Sequence, residues 1–312
     1  MGARVLTMDG GERAISEEQL AALDAELRGD LLLPESDGYE AARTIWNAMI
    51  DRRPALVARC AGPADVIRAV KFASYNELLV AVRGAGHNIA GKGVCDGGFL
   101  IDLSGLRSVH VDPVRRVASV DPGATLGDLD DETQLYGMAV PTGINSTTGI
   151  AGLTLGGGFG WLSRKHGLTV DNLRSARVVT ANGEMLTASE DQNPDLFWGI
   201  RGGGGNFGVA TSFEFDLVDI GPEVLSGLVV HPLSDAADLV RFYRDYADGL
   251  PADLNVWLVL RKAPPMPFLP PQVHGTEVAI LAAIYSGEMS EGERLLKPLR
   301  DYVDPIADVI SP

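Results

Sequence analysis

One histidine lies in a stretch whose neighbours carry almost no side chains. The segment VRGAGHNIAG, Val82–Gly91, places His87 between two glycine-rich turns directly after the apolar run LLVAV. The successive N–H groups of Gly84, Ala85 and Gly86 are left uncovered, which makes an anion nest suited to a pyrophosphate. The segment therefore predicts a loop in which a ligand approaches the backbone and an imidazole meets that ligand.

Two further glycine-rich segments follow along the chain. Thr147–Gly160, TTGIAGLTLGGGFG, offers two threonine hydroxyls beside bare backbone, and Arg201–Val209, RGGGGNFGV, offers a third bare strip. Tight turns or close packing explain any one such loop, whereas three together favour an extended ligand held by backbone at several places. The usual nucleotide motifs do not fit, because Ile89 stands where GxGxxG needs its last glycine and the sequence has no GxxxxGK[ST].

His87 allows several roles. A polar loop residue that is hydrogen-bonded to backbone is the simplest of them. Metal binding is disfavoured, because no histidine or carboxylate follows at the next two to four positions and His110, His166, His231 and His274 have no ligand-like spacing. General base catalysis and a covalent, nucleophilic role toward the ligand both stay open at this point.

Composition and charge disfavour several classes of function. The chain of 312 residues has a net charge of −16, so we expect no nucleic-acid partner, and a small neutral or cationic substrate fits better. Cys60 and Cys95 form no CxxC pair and predict small buried thiols. Because no run approaches the roughly 20 apolar residues of a membrane span and the first residues lack a signal-peptide pattern, we expect a cytoplasmic protein without a membrane partner.

The pattern of elements predicts an α+β fold. Residues 1–50 are interpreted as an N-terminal helical segment with one helix, which begins at a Ser-x-x-Gln capping box at Ser16. Residues 51–222 are interpreted as one domain of two α+β units. The first is a strand–helix–strand unit whose second strand leads into the loop of His87, and the second contains a hairpin that turns at Asn182-Gly183.

The remaining residues, 223–312, predict the start of a second domain. Their patterns follow the order strand, helix, strand, strand, helix, which is typical of an antiparallel sheet with helices on one face. Such a sheet normally has further strands. We therefore expect this domain to be truncated at Pro312.

The longer motifs resemble those of a known family. VRGAGHNIAG, IDLSGL, DPGATLGDLD, STTGIAGLTLGGGFGWLSRKHGLTVDNL, VVTANGE and DLFWGIRGGGGNFGVATSFEF follow the order found in FAD-linked oxidases of the berberine-bridge-enzyme-like branch. This branch belongs to the vanillyl-alcohol oxidase and p-cresol methylhydroxylase (PCMH) superfamily, and the resemblance covers residues 45–312. It implies a PCMH-type FAD-binding domain of two α+β subdomains, followed here by an incomplete antiparallel-sheet substrate domain.

The resemblance also implies the cofactor contacts. His87 aligns with the histidine that, in this family, bonds covalently to the 8α-methyl group of the flavin. Gly208 and Val209 are implied to meet the adenine or ribose end of FAD. The other implied FAD contacts are Arg83, Gly84, Ala85, Gly86, Asn88, Asn145, Thr148, Gly149 and Gly152.

The chain departs from the family pattern at several places. Many relatives carry a cysteine with a second flavin bond where Asn145 stands, so we predict one histidyl link and no cysteinyl link. Some relatives place a histidine beside the flavin where Leu153 stands. The family's C-terminal portion often supplies the catalytic base, and for this chain the base stays unassigned. Tyr285, on a predicted strand of the substrate sheet, is a candidate, although a core or surface role explains it more simply, and Tyr136 and His166 are weaker candidates.

The activity implied by the resemblance is that of an FAD-dependent oxidase. A small alcohol, sugar or polycyclic metabolite delivers hydride to flavin N5, and dioxygen reoxidises the flavin to give hydrogen peroxide. Two alternatives stay open: a flavin- or nucleotide-binding module without catalysis, and a flavin dehydrogenase that uses another electron acceptor. The expected partners are therefore the small-molecule substrate and dioxygen, and the sequence does not indicate an oligomeric state.

Overall fold

The structure, a computed structural model, describes residues 2–221 and 223–312. Helices and open sheets, in which most strand pairs are antiparallel, confirm the predicted α+β class. The strands are β1 (Ala3–Leu6), β2 (Glu12–Ile15), β3 (Asp30–Leu32), β4 (Leu56–Arg59), β5 (Val80–Arg83), β6 (Phe99–Asp102), β7 (Val109–Asp112), β8 (Val117–Val120), β9 (Met138–Ala139), β10 (Leu173–Val179), β11 (Met185–Ser189), β12 (Val209–Asp216), β13 (Val218–Asp219), β14 (Leu225–Pro232), β15 (Leu254–Lys262), β16 (Glu277–Tyr285) and β17 (Ala307–Asp308). The α-helices are α1 (Glu17–Glu26), α2 (Tyr39–Arg43), α3 (Pro63–Tyr75), α4 (Leu126–Thr133), α5 (Ile150–Leu155), α6 (Ser163–His166), α7 (Pro194–Ile200), α8 (Ala236–Ala247) and α9 (Met289–Arg300).

The first of two compact units comprises the residues up to Gly160 together with Leu168–Val218. One of its sheets has the order β3-β4-β6-β5, in which β4, β6 and β5 are parallel and β3 is an antiparallel edge. Helix α3 connects β4 to β5 and buries Val66 and Ala69 against this sheet. The predicted strand–helix–strand unit is therefore confirmed, with the fully buried β6 lying between its two strands.

The second sheet of this unit is antiparallel and has the order β11-β10-β12-β8-β7. Strands β10 and β11 form the hairpin predicted at Asn182-Gly183. Strand β12 alternates between buried and partly exposed residues, and Phe213 and Phe215 are fully buried in the core. Its period-2 pattern is typical of a strand with one face on the core.

The first 50 residues contain more than the one helix expected. Helix α1 has the predicted capping box, in which the N–H of Gln19 donates to Ser16 Oγ (3.2 Å). Strands β1, β2 and β3 and helix α2 accompany it, and Val5 and Ile15 are at most 1% exposed in the same core as α3. Strands of three or four residues have too few alternations for a period to be recognised in the sequence.

The second unit comprises Trp161–Gly167 together with Asp219–Pro312. Its antiparallel sheet has the order β15-β16-β14-β17, and α8 and α9 pack on one face through a core that includes Leu239, Leu281 and Leu296. The predicted order of strand, helix, strand, strand and helix is confirmed.

Helix α6 also belongs to the second unit. Lys165 forms an ion pair with Asp253 (2.5 Å), and the rings of Trp161 and Trp257 stack with their centroids 4.1 Å apart. Asn255 Nδ2 donates to the carbonyl of Trp161 (3.0 Å). These contacts attach the segment before Gly167 to strand β15.

Both cysteines are buried free thiols, as predicted. Burial raises the pKa of Cys60 to about 12 and that of Cys95 to about 11, so neither is poised for thiolate chemistry. Within residues 2–221 and 223–312, no group of three or more His, Cys, Asp or Glu side chains is arranged to hold a metal ion. No helix in the described part of the chain is both long and apolar enough to cross a membrane.

His231, on β14, is the most deeply buried histidine of the second unit. Its side chain is 0% exposed, and neither ring nitrogen has a hydrogen-bond partner among residues 2–221 and 223–312. Burial lowers the pKa of His231 below its ordinary value, although the nearby carboxylate of Asp235 acts in the opposite direction. The folded chain therefore favours the neutral imidazole.

This burial predicts an acid-sensitive contribution to stability. The unfolded chain takes up a proton near pH 6.5, whereas folded His231 resists protonation until a lower pH. The free energy of unfolding should fall as the pH decreases from about 6.5 to the folded-state pKa, by up to about 1.4 kcal/mol per pH unit. Urea unfolding between pH 7.5 and 5 measures this slope.

His231→Leu should remove that part of the slope, and the matched change His110→Leu, at an exposed position of β7, should retain it. An unchanged slope in His231→Leu would contradict the assignment.

Candidate functional site

Three loops of the first unit meet at the carboxyl end of β5. The first begins after Arg83 and carries His87, the second covers 121–125 after β8, and the third covers 145–149 and leads into α5. The N–H of Ile150 donates to the carbonyl of Ala124 (2.9 Å), which joins the second loop to the third. Segments far apart in the sequence thus form one continuous backbone surface.

The first and third loops approach each other at a glycine. A Cβ on Gly149 would lie 2.8 Å from Cβ of Ala85 and 3.1 Å from its backbone nitrogen. Because these distances are shorter than van der Waals contact between such atoms, a glycine at this position allows the close approach. The first two predicted glycine-rich segments therefore lie side by side.

His87 is held at its edge by the third loop. Thr147 Oγ1 lies 3.3 Å from His87 Nε2 and donates a hydrogen bond to Asn145 Oδ1 (2.8 Å). The structure thus brings together His87 and Asn145, the position at which many relatives carry their second link. Of the two threonines, Thr147 contacts the imidazole. Thr148 accepts the N–H of Leu126 through its carbonyl (2.9 Å), and its contact with FAD stays a prediction.

His87 is also held at its face, by a residue that the sequence analysis missed. The Trp46 ring stacks on the imidazole with a centroid distance of 4.6 Å and an interplanar angle of 27°. The backbone N–H of Trp46 donates to the carbonyl of Gly86 (3.0 Å), and Asn47 Nδ2 donates to the carbonyl of Ile89 (2.8 Å). Trp46 lies 41 positions before His87, and nothing in the local spacing signals this contact.

The side chain of Arg83 passes beside Gly86, where a Cβ would lie 3.0 Å from Arg83 Nε. Its Nη1 donates to the carbonyls of Ala41 (3.2 Å) and Ala42 and lies 3.9 Å from the carboxylate of Asp102. The guanidinium of Arg83 thus ties the loop to the end of α2, and the predicted cofactor contact of Arg83 stays a prediction. Asn88 Oδ1 accepts the N–H of Lys92 (3.1 Å), so this side chain stabilises the following turn.

A cavity of about 740 Å³ lies beside β5. It is lined by Val80 and Val82 of that strand and by Gly208 and Val209, which were predicted to meet the adenine or ribose end of the cofactor. The lining also includes 205–207, so the third glycine-rich segment contributes to it. Its size falls in the range of pockets that bind small molecules and cofactors.

The three candidate bases differ in how far their side chains are exposed. Tyr285 is 5% exposed in the core of the second unit, beside Leu225 and Leu296. It belongs to the sheet face that α8 and α9 cover and packs in the core there, and its role as a base stays a prediction. Tyr136 is 48% exposed, and burial lowers the pKa of His166.

Comparison with known proteins gives a consistent result. Residues 54–189 match the family described as FAD binding domain. Over 208 residues the chain is 38% identical to (R)-6-hydroxynicotine oxidase of Paenarthrobacter nicotinovorans, which covers 67% of this chain and 45% of that protein.

Two solved structures are similar to this chain. One is BBE-like 1 of Physcomitrella patens, with a TM-score of 0.80 and 26% identity over 92% of this chain and 61% of that chain. The other is xylooligosaccharide oxidase of Myceliophthora thermophila in complex with xylobiose, with a TM-score of 0.80 and 29% identity over 95% of this chain and 60% of that chain. The chain thus spans about half to three fifths of the length of these proteins.

The contact between the first and third loops predicts a coupled pair of substitutions. Gly149→Ala should lower the free energy of unfolding by about 1–3 kcal/mol, because the new Cβ overlaps Ala85. Ala85→Gly should relieve part of that loss in the double variant, because it removes the 2.8 Å contact and leaves the one to the backbone nitrogen. Chemical denaturation of the four chains measures this non-additivity.

Gly105→Ala serves as the control, because a Cβ at Gly105 meets no atom within 4 Å. Additive effects of Gly149→Ala and Ala85→Gly would rule out the direct contact between the loops.

Proposed function

Because the chain belongs to the berberine-bridge-enzyme-like branch of the FAD-linked oxidoreductases, within the vanillyl-alcohol oxidase and PCMH superfamily, we propose that it attaches FAD through His87 and oxidises a small molecule. The proposal depends on one observation: His87 lies at the junction of the two glycine-rich loops, 3.3 Å from Thr147. An imidazole held there stands where a ligand covering both loops must pass.

The residues of the site fit a flavin nucleotide. Gly84–Gly86 carry no side chain larger than a methyl group, and a Cβ at Gly152 would meet no atom within 4 Å, so open space faces the backbone there. A pyrophosphate is an acceptor for the uncovered N–H groups of such a loop. The cavity beside Gly208 and Val209 is the proposed place of the adenine or ribose end.

Within the proposed reaction the chain binds and orients the cofactor. The flavin, when bound, supplies a hydride acceptor at N5. A single histidyl bond holds it in place, since the amide of Asn145 offers no thiol for a second one. None of the described residues is assigned as the base, and the division into an FAD-binding domain at 51–222 and a substrate domain from 223 onward stays part of the proposal.

The proposed substrate is a small alcohol, sugar or polycyclic metabolite, and the proposed acceptor is dioxygen. In support, one relative is named as an oxidase of 6-hydroxynicotine, and another was solved as a xylooligosaccharide oxidase with xylobiose. This chain spans about half to three fifths of the length of these oxidases. An oxidase activity is therefore a proposal for this chain. A dehydrogenase with another acceptor and a flavin-binding module without turnover are the alternatives.

His87→Ala tests the attachment. After acid precipitation, flavin absorbance and mass should stay with the unaltered chain, whereas His87→Ala should release all its flavin into the supernatant, because no carbon–nitrogen bond holds it. His110→Ala, at an exposed position of β7, is the matched control and should keep its flavin bound. Free flavin in the supernatant of the unaltered chain would contradict the histidyl link.

Peroxide release then separates the three functions. Peroxide formed with alcohols or sugars indicates an oxidase, and reduction of a dye without peroxide indicates a dehydrogenase. Flavin that stays oxidised with every substrate, in this chain and in a longer one, favours a flavin-binding module without turnover.

Gly152→Ala tests where the cofactor lies. Its methyl group should leave the unfolding temperature unchanged or slightly higher, because alanine suits helix α5 better than glycine does. The same methyl group enters the open space in front of the backbone. The affinity for FAD, titrated with His87→Ala present in every variant so that binding is reversible, should therefore fall about tenfold, or about 1.4 kcal/mol. Gly105→Ala is the control, and equal affinities in both variants would exclude α5 from the cofactor site.

A further inference from the structure

The contacts of Thr147 determine which ring nitrogen of His87 carries hydrogen. The backbone N–H of Thr147 donates to Asn145 Oδ1 (3.0 Å). A backbone N–H is always a donor, so the atom it meets must be the oxygen of the amide and not its nitrogen. This single contact fixes the orientation of the Asn145 side chain, which is otherwise ambiguous.

With that oxygen identified, the direction of the next hydrogen bond follows. Thr147 Oγ1 lies 2.8 Å from the same Asn145 Oδ1. A carbonyl oxygen has no hydrogen to give, so the hydroxyl must donate. A hydroxyl has one hydrogen, and this contact uses it.

Toward His87 the hydroxyl of Thr147 therefore acts as an acceptor. The partner is His87 Nε2, at 3.3 Å, which must carry the hydrogen in this contact. In a neutral imidazole with hydrogen on Nε2, the lone pair is on Nδ1. The stacked ring of Trp46 limits rotation of the imidazole out of its plane.

We infer that Asn145 and Thr147 are positioning residues that select the Nε2–H tautomer of His87 and so make Nδ1 the nitrogen that bonds to the flavin. This inference rests on the proposed attachment at His87. Asn145 thus stands where many relatives carry a second link and has a different role in this chain: it orients the hydroxyl that orients the histidine.

The attachment step balances with dioxygen as the oxidant. One bond forms, between Nδ1 and the 8α-carbon of the flavin, while that carbon loses one hydrogen and Nε2 loses the other. The two protons and two electrons pass to dioxygen, which becomes hydrogen peroxide. The hydroxyl of Thr147, as the acceptor of the Nε2 hydrogen, stabilises the positive charge that develops on the ring when Nδ1 forms its bond.

The tautomer is measurable without any flavin. In the 312-residue chain purified from riboflavin-depleted cells, nitrogen NMR of 15N-histidine should show His87 with hydrogen on Nε2 and a bare Nδ1. His87→Gln identifies the signals. Thr147→Val keeps the shape but removes the hydroxyl and should give a mixture of tautomers, whereas Thr147→Ser should restore the single form.

The attachment is then followed by adding FAD. The flavin-linked peptide should carry its bond on Nδ1 by NMR, and Thr147→Val should slow covalent incorporation about tenfold while FAD binding before attachment stays the same. Asn145→Ala should also slow covalent incorporation, and Thr147→Ser should recover the original rate.

Each outcome is decisive. Hydrogen on Nδ1 in the unaltered chain, a bond at Nε2, or an unchanged rate in Thr147→Val would overturn the inference. The two ideas can fail separately. If the Nε2–H tautomer depends on Thr147 but the chain never retains flavin after denaturation, the hydrogen-bond relay is supported and the proposed histidyl attachment is overturned.

Discussion

The parallel pairing of β5 with β6 is the constraint on which the site depends. It sets Arg83 opposite Asp102, so the loop of His87 begins at a fixed position at the carboxyl edge of the sheet. Arg83 then anchors to the carbonyls at the end of α2, beside the Asp102 carboxylate. A slip of one residue in this register would turn Arg83 to the other face of the sheet. The imidazole would then no longer reach the third loop.

Much of the fold and the loop arrangement could be predicted because the signals are local. The hairpin at Asn182-Gly183, the capping box at Ser16 and the alternation in β12 each depend on residues within a few positions of one another. Glycine-rich loops can be recognised in the same way, since bare backbone is visible in the sequence itself. That two of these loops converge is not local, and the sequence suggested it only indirectly, through the recurrence of bare backbone in three segments and through the resemblance to a family.

The remaining features could not be predicted, because each depends on a contact between distant segments. Trp46 meets His87 through the path of the first 50 residues, whose strands are too short to show a period. Thr147 and Thr148 are adjacent and chemically alike, and the turn after Asn145 decides which hydroxyl reaches the imidazole. Tyr285 is placed by the pleat of β16, which directs alternate side chains toward α8 and α9.

The packing of residues before position 54 has a consequence for how the flavin-binding body is delimited. The region matched by the family begins at residue 54, yet β3 pairs with β4, and Tyr39 donates its phenolic hydrogen to the carbonyl of Pro54 (2.6 Å). Trp46 lies in the same upstream segment and forms a wall of the histidine's environment. A chain that began at residue 54 would keep every glycine-rich loop and yet expose one edge of the β4 sheet and one face of His87. The unit of sequence similarity is therefore smaller than the unit that can bring the imidazole to its ligand.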